Sequence, residues 1–446
     1  MNRMGHPQAS AAEQTWVNIG PAPMRDSIIG QQQVDVSGRV TALAIDPHDS
    51  SVIYLGAALG GVWKSTDDGG SWIPLTDDQP SLAIGALTLD PGNPDVIYVG
   101  TGEPHGAIDS YYGAGVLKSR DGGSTWQQLG AAEFTGLGIS AIIVHPRDSS
   151  IVYVASSAAV GPDGPQTPSQ GIFKSVDEGQ TWSGLRVCSS CFGASDLVMH
   201  PIDPTILYAA FWQEGIFKST DAGRTWQQLT SGLPVRDYAR IELAIAPSDP
   251  SVLYAGFDMA IPGRYTGAKV FKTMEDGNSW QELRGAPNYC GSQCWYDNVI
   301  AVHPYNTDIV YLGGSANYIS IPRWTVRQVL VRSTDGGSTW WDLSPNDTPA
   351  HTLHPDVHAI AFDPQNPQNV WVGNDGGVWK STDSGLSWSN KNSNLATLQF
   401  IGVALHPSDP QTVFGGMQDN NKAKYTGSIV WEAMDAGDGG YAAIDP

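Results

Sequence analysis

Positive charge is scarce in this chain: 24 Lys+Arg stand against 45 Asp+Glu in 446 residues, a formal net charge of −21. A phosphate backbone recruits basic surfaces through counterion release, so this balance excludes DNA or RNA as the main partner. An anionic membrane surface is disfavoured for the same reason. Apolar runs of about 18 residues are missing too, which excludes a spanning helix. The first fourteen residues, Met1 to Gln14, lack the apolar centre of a secretory signal, so the chain reads as cytoplasmic or as a secreted protein whose signal has been removed. Cysteine is limited to Cys188, Cys191, Cys290 and Cys294. Their close pairing points to two local disulfides, and hence to an oxidising, extracellular setting; a four-thiolate zinc site and free thiols are the alternatives.

Glycine and proline are abundant instead, 51 and 30 residues. At that density helices are broken up and short strands with tight turns are favoured. Hydrophobic residues still make up 41% of the chain, enough for a large core.

A repeat organises the sequence. Proline recurs after an apolar stretch at Pro47, Pro91, Pro146, Pro201, Pro247, Pro304, Pro364 and Pro407, then at Pro446. An aromatic follows each of the first eight by seven residues: Tyr54, Tyr98, Tyr153, Tyr208, Tyr254, Tyr311, Trp371 and Phe414. The spacing is that of propeller blades. Each unit reads as four strands, as in GRVTALAID, SVIYLG, GVWKS and SWIPL of the first, with proline closing the first strand because it cannot donate to a ladder. The fold expected is all-β, a single β-propeller of four-stranded blades over 14–446, eight in number, with seven blades or part of a larger propeller as alternatives. Residues 1–13 read as a flexible segment. The stretch 14–20 resembles a fourth strand that could complete the last sheet.

The third and fourth strands are joined by a second signature: STDDGGSW (65–72), SRDGGSTW (119–126), SVDEGQTW (175–182), STDAGRTW (219–226), STDGGSTW (333–340) and STDSGLSW (381–388), with TMEDGNSW (273–280) as a degenerate copy. Ser and Asp can accept N–H groups across a hairpin, Gly supplies positive φ and Trp packs between sheets. On these motifs the chain resembles the Asp-box, or bacterial neuraminidase repeat, propellers, a group that includes sialidases, family 74 xyloglucanases and sortilin. The resemblance implies the fold; the hairpins themselves are read as structural.

In such blades the turns after first and third strands share one face, and the irregular connections share the other. Binding is expected among the latter. Eight residues before each repeat proline, at the mouth of the innermost strand, stand Arg39, Ala83, Gly138, Gly193, Ala239, Tyr296, Asp356, Gln399 and Asp438. Small residues occupy one arc and functional ones the other, which suggests a lopsided acidic cup of Asp356, Asp375, Asp419 and Asp438 with Arg39 beside it. Two of these carboxyls could act as acid and base or nucleophile on a glycosidic bond. Glu103, Tyr111, Tyr112, Trp212, Trp295, Tyr296, Trp324, His354, His358, Asn374 and Gln418 are the candidate ligand contacts, the aromatics as sugar-stacking platforms. His354, Asp356 and His358 alternate, so a divalent metal is an open reading there; no other cofactor is implied.

The catalytic motifs of the resembled families do not transfer intact. The family 74 pattern Arg-Thr-Asp-x-Gly-Gly meets Ala58 at the Asp position in Gly56–Gly61, whereas Asp375 in Gly373–Gly377 falls one place later. No Arg-Ile-Pro of sialidases is present. The function expected is therefore a secreted propeller that binds, and as a glycoside hydrolase cleaves, a polysaccharide or oligosaccharide. A sortilin-like protein- or peptide-binding propeller, or a structural subunit of an extracellular assembly, is the alternative.

Overall fold

The apolar segments ahead of the repeat prolines become innermost strands, because Val, Ile and Leu there are covered by neighbouring sheets on both faces. A computed structural model describes residues 17–30, 32–107, 109–159, 170–188, 192–261, 264–315, 327–435 and 437–445. Its inner strands are Val40–Ile45, Ile84–Asp90, Leu137–Val144, Ala194–Met199, Tyr238–Ile245, Val299–Val302 and Val357–Phe362, each opening a four-stranded antiparallel sheet in chain order. The architecture is all-β and consistent with a β-propeller; helix is confined to Ala131–Phe134 and a 3-10 turn at Pro349–His351 among the described residues. None of these helices is long and apolar enough to cross a membrane. The segments 1–13 and 14–16, and Trp324, lie outside the described residues.

Successive inner strands pack side by side, and Val357–Phe362 packs against Val40–Ile45. The same contacts mark that seam as mark the others. The repeat aromatic reaches the hairpin of the following sheet: Tyr98 Oη donates to the Glu178 carbonyl at 3.4 Å, Tyr208 to that of Asp276 at 2.9 Å and Tyr311 to that of Ser384 at 2.9 Å. At the seam, Trp371 lies against Gly69, and Lys380 Nζ meets Asp68 Oδ1 at 2.6 Å. Trp72 Nε1 completes it by donating to the Lys391 carbonyl at 2.8 Å.

The eighth unit takes a different place from the one expected. Phe400–Leu405, Val413–Met417, Lys422–Lys424 and Trp431–Ala433 form a sheet extended by Met24–Ile29 and Gln32–Val36. Met24–Ile29 joins it in parallel, Met24 opposite Trp431, whereas residues 17–20 form no strand. This sheet stands beside the inner-strand circuit, and Val403 and Leu405 of its first strand remain exposed. It is also the unit whose sequence carries no Ser-x-Asp hairpin.

Those hairpins are built as their composition suggests. Ser65 Oγ donates to Asp67 Oδ1 at 2.8 Å and accepts the Gly69 N–H at 2.8 Å; Asp67 in turn accepts Ser71 N–H at 2.8 Å and Ser71 Oγ at 2.7 Å. Hydrogen bonds from the Ser or Thr four residues on hold Asp67, Asp121, Asp177, Asp221 and Asp335 down to about 2. Gly69 takes φ +73° under Trp371, where a Cβ would come within 2.8 Å of the ring. Ser333→Ala should therefore cost about 1–3 kcal/mol in denaturant unfolding, since the buried Gly337 N–H loses its acceptor. Unchanged stability with weakened glycan binding would assign these hairpins to recognition instead.

Candidate functional site

The irregular connections meet around one buried guanidinium. Arg39 precedes the first inner strand and is 3% exposed. Its Nη1 donates to Glu103 Oε1 at 2.6 Å and its Nη2 to Asp109 Oδ2 at 2.5 Å. Nε lies 3.3 Å from Asp375 Oδ1, and Nη2 is 3.3 Å from Gln399 Oε1. The guanidinium also stands over the Tyr296 ring at 5.1 Å. Burial opposes ionisation of Glu103, but the adjacent Arg39 charge prevails and holds its carboxyl well below the usual range.

Asp375 sits in the turn between Val370–Asn374 and Gly377–Ser381 and is 1% exposed. Tyr296 Oη donates to its Oδ2 at 2.7 Å, and His358 Nε2 lies 2.7 Å from its Oδ1. Burial pulls the His358 imidazole down to about 3, which keeps the ring neutral. His105 stacks on it at 4.9 Å and is likewise lowered to about 3 by burial.

Asp356 precedes the seventh inner strand, and Asp419 follows Val413–Met417 of the eighth sheet. Both take left-handed backbone, φ +64° and +58°, which Asp tolerates better than most residues. One carboxylate oxygen from each of Asp356, Asp375 and Asp419 lies within 4.8 Å of the others. Burial raises Asp375 to about 7; burial, with the neighbouring Asp375 and Asp356 charges, raises Asp419 to about 9.

The expected cup thus forms from Arg39, Glu103, Tyr296, Asp356, Asp375 and Asp419, with three departures. Asp438 is exposed and accepts the Asp419 N–H at 3.3 Å instead of bringing its carboxyl into the cluster. The alternation of His354, Asp356 and His358 does not make a common ligand set. Positive φ at Asp356 breaks the strand geometry, and His354 Nδ1 and Nε2 face the carbonyls of Pro355 and Asp419 at 3.0 and 3.3 Å. His354 also covers Gly376, where a Cβ would come within 2.5 Å of the imidazole, so the turn holding Asp375 needs glycine there. Third, Asn374 is a buried turn former whose Oδ1 accepts the Gly376 N–H at 3.0 Å.

The remaining contacts spread outward. Tyr111 is 44% exposed; Tyr112, Trp212, Trp295 and Gln418 are half-buried, Trp295 tilted against Tyr296 at 5.6 Å. Trp212 and His105 line a polar cavity of 70 Å³ with Arg240, Glu242 and His358. Cys290 and Cys294 form a disulfide beside this region, so that pair supplies no zinc thiolate; the pairing of Cys188 with Cys191 lies outside the described residues.

Four participants escaped the sequence reading: Asp109, His105, Asp297 and Arg240. Asp297 directly follows Tyr296 and is fully buried, with Gln293 Nε2 3.4 Å from its Oδ2 and 3.3 Å from Asp356 Oδ1. Its position next to a mouth residue was the available signal. Arg240, one place after Ala239, anchors a second buried group: it bonds Glu242 Oε1 at 2.5 Å and the Tyr296 carbonyl at 2.5 Å.

The fold is consistent with a propeller that carries a one-sided polar cup crowded with carboxyls. No family model matches the chain. A xyloglucanase from a Paenibacillus species is 25% identical over 340 residues, 68% of this chain and 31% of that protein. A xyloglucanase from Acetivibrio thermocellus is 22% identical over 360 residues, 69% of this chain and 39% of that protein, so the chain spans well under half of either relative. Among solved structures, the family 74 enzyme of Niastella koreensis superposes with TM-score 0.63 at 19% identity, covering 95% of this chain and 69% of that one. Ala58, read from the sequence at the Asp position of the family 74 pattern, is buried and donates its N–H to the Arg39 carbonyl at 3.0 Å.

Proposed function

We propose that the face carrying the cup binds an extracellular polysaccharide, a branched β-glucan of the xyloglucan class, and that hydrolysis of it falls to Asp356, Asp375, Asp419 and Asp438. The observation that carries this reading is the convergence of Asp356, Asp375 and Asp419, of which Asp375 lies against Arg39, with Trp295 tilted on the neighbouring Tyr296. Aromatic faces suit sugar rings, and carboxylates accept their hydroxyl protons. Asp419 is the acid candidate, because it is partly exposed, and burial with the neighbouring Asp375 and Asp356 charges favours its protonated form. Similarity to proteins named xyloglucanases supports the substrate class.

Reducing-end release from xyloglucan tests the hydrolytic half. Asp→Asn at each of the four positions keeps shape and removes charge; loss of turnover by about 10²-fold or more at two positions, with folding intact, is expected for acid–base roles. If all four variants release sugar like the parent, or the parent releases none while still binding, the reading contracts to a binding propeller.

A further inference from the structure

The carboxyl cluster poses an electrostatic problem that hydrolysis does not explain. Asp356, Asp375 and Asp419 share one small space, yet of the three only Asp375 touches a guanidinium, that of Arg39, which already serves Glu103 and Asp109. Behind them Asp297, fully buried, lies carboxyl to carboxyl against Asp356, and its Oδ1 finds no N–H or hydroxyl donor. Gln293 bridges the two but offers a single amide nitrogen to both. Like charges at this separation persist only if they bind protons or a cation.

We infer that Asp356, Asp375 and Asp419, backed by Asp297, hold a divalent cation of the calcium type. Oxygens that share one Ca²⁺ at about 2.4 Å each can stand no more than about 4.8 Å apart, a limit that the three oxygens satisfy. The set is all oxygen, the donor type of Ca²⁺, Mg²⁺ and Mn²⁺; His358 meets it only through a hydrogen bond to Asp375, as an outer partner of that ligand. The three ligands come from the entry to the seventh inner strand, the next turn of the same sheet and a turn of the eighth sheet, so the cation would tie the eighth sheet to the ring.

This inference concerns the same cleft as the polysaccharide reading but does not rest on it, and its test needs no glycan. Protein stripped with chelator should gain thermal stability on titration with CaCl₂. It should also sensitise Tb³⁺ emission on excitation of its aromatics, since Tyr296 touches Asp375, and Ca²⁺ should quench that emission by displacement. Asp356→Asn and Asp375→Asn should weaken binding by about 10-fold or more, while Asp77→Asn, on an exposed turn outside the site, should bind as the parent does. The parent protein settles the matter if a variant fails to fold. Neither a stability gain nor displaceable Tb³⁺ emission at millimolar Ca²⁺, Mg²⁺ or Mn²⁺ overturns the inference, as does unchanged binding in both cluster variants. A cation site with no glycan binding would leave this inference standing and sink the polysaccharide reading; glycan binding without a cation would do the reverse.

Discussion

Arg39→Met should destabilise the protein by about 3–5 kcal/mol, the cost of leaving buried carboxylates without their partner. The guanidinium is 3% exposed and touches Glu103, Asp109, Asp375 and Gln399 at once. Glu103 bears most of that cost, because it is fully buried and its other neighbour, His105, is a neutral ring 3.4 Å away. Lysine should rescue poorly, since one ammonium cannot place donors in three directions as the planar fork does. Denaturant unfolding of Arg39→Met, Arg39→Lys and the double variant Arg39→Met/Glu103→Gln checks this. The double variant should recover part of the loss; equal stability of all three with the parent would show that the cup is not held by this charge.

Stability should also fall as pH rises from about 5 to 9, by several kcal/mol in chelator-treated protein. Asp196, Asp258 and Glu242 lie around Arg240, and burial raises them to about 6, 7 and 8 respectively. Below the ordinary carboxyl range these groups are protonated folded and unfolded, and their contribution is fully present. As pH rises past that range the unfolded chain releases protons that the folded one keeps, so stability declines until the folded groups ionise. A carboxyl that titrates one pH unit higher in the folded protein than in the unfolded chain accounts for about 1.4 kcal/mol of that decline. The hairpin aspartates act with the opposite sign: their contribution is present above the ordinary value and is lost as pH falls towards 2. A maximum between about pH 4 and 6 follows from the two together. Melting temperatures across pH 3–9 should show it, and Glu242→Gln should flatten the alkaline side while keeping an acceptor for Arg240. A melting temperature that climbs from pH 5 to 9 would contradict the buried, protonated state of this group.

The fold was legible because its periodic signals are local. Proline, the aromatic seven residues on and the Ser-x-Asp hairpin each do one job in one sheet, and repetition makes them visible. The place of the eighth unit was less so, since its proline–aromatic pair, Pro407 and Phe414, looks like the others, whereas its sheet takes in Met24–Ile29 and Gln32–Val36. The seven hairpin copies lie in the seven four-stranded sheets, because the hairpin is what a neighbouring Tyr or Trp reaches. The cup was half legible. Register placed Arg39, Tyr296 and Asp356 at the mouths of inner strands, and the structure brings all three together. Which way each carboxyl turns was hidden, because it depends on single backbone angles such as φ +64° at Asp356. Asp297 and Arg240 lie one residue off the register positions and are both buried, Arg240 within the register shift between Tyr238 and Ile241.

The central claim, that the loop face binds polysaccharide, is tested most directly by electrophoresis of the native protein through gels containing soluble xyloglucan. Retardation is expected, reduced by Trp212→Ala and Trp295→Ala by about tenfold in affinity, equivalent to about 1.4 kcal/mol, and untouched by Ser333→Ala on the opposite face. Migration unaffected by xyloglucan or any other β-glucan, or retardation that survives both Trp substitutions unchanged, would contradict the account.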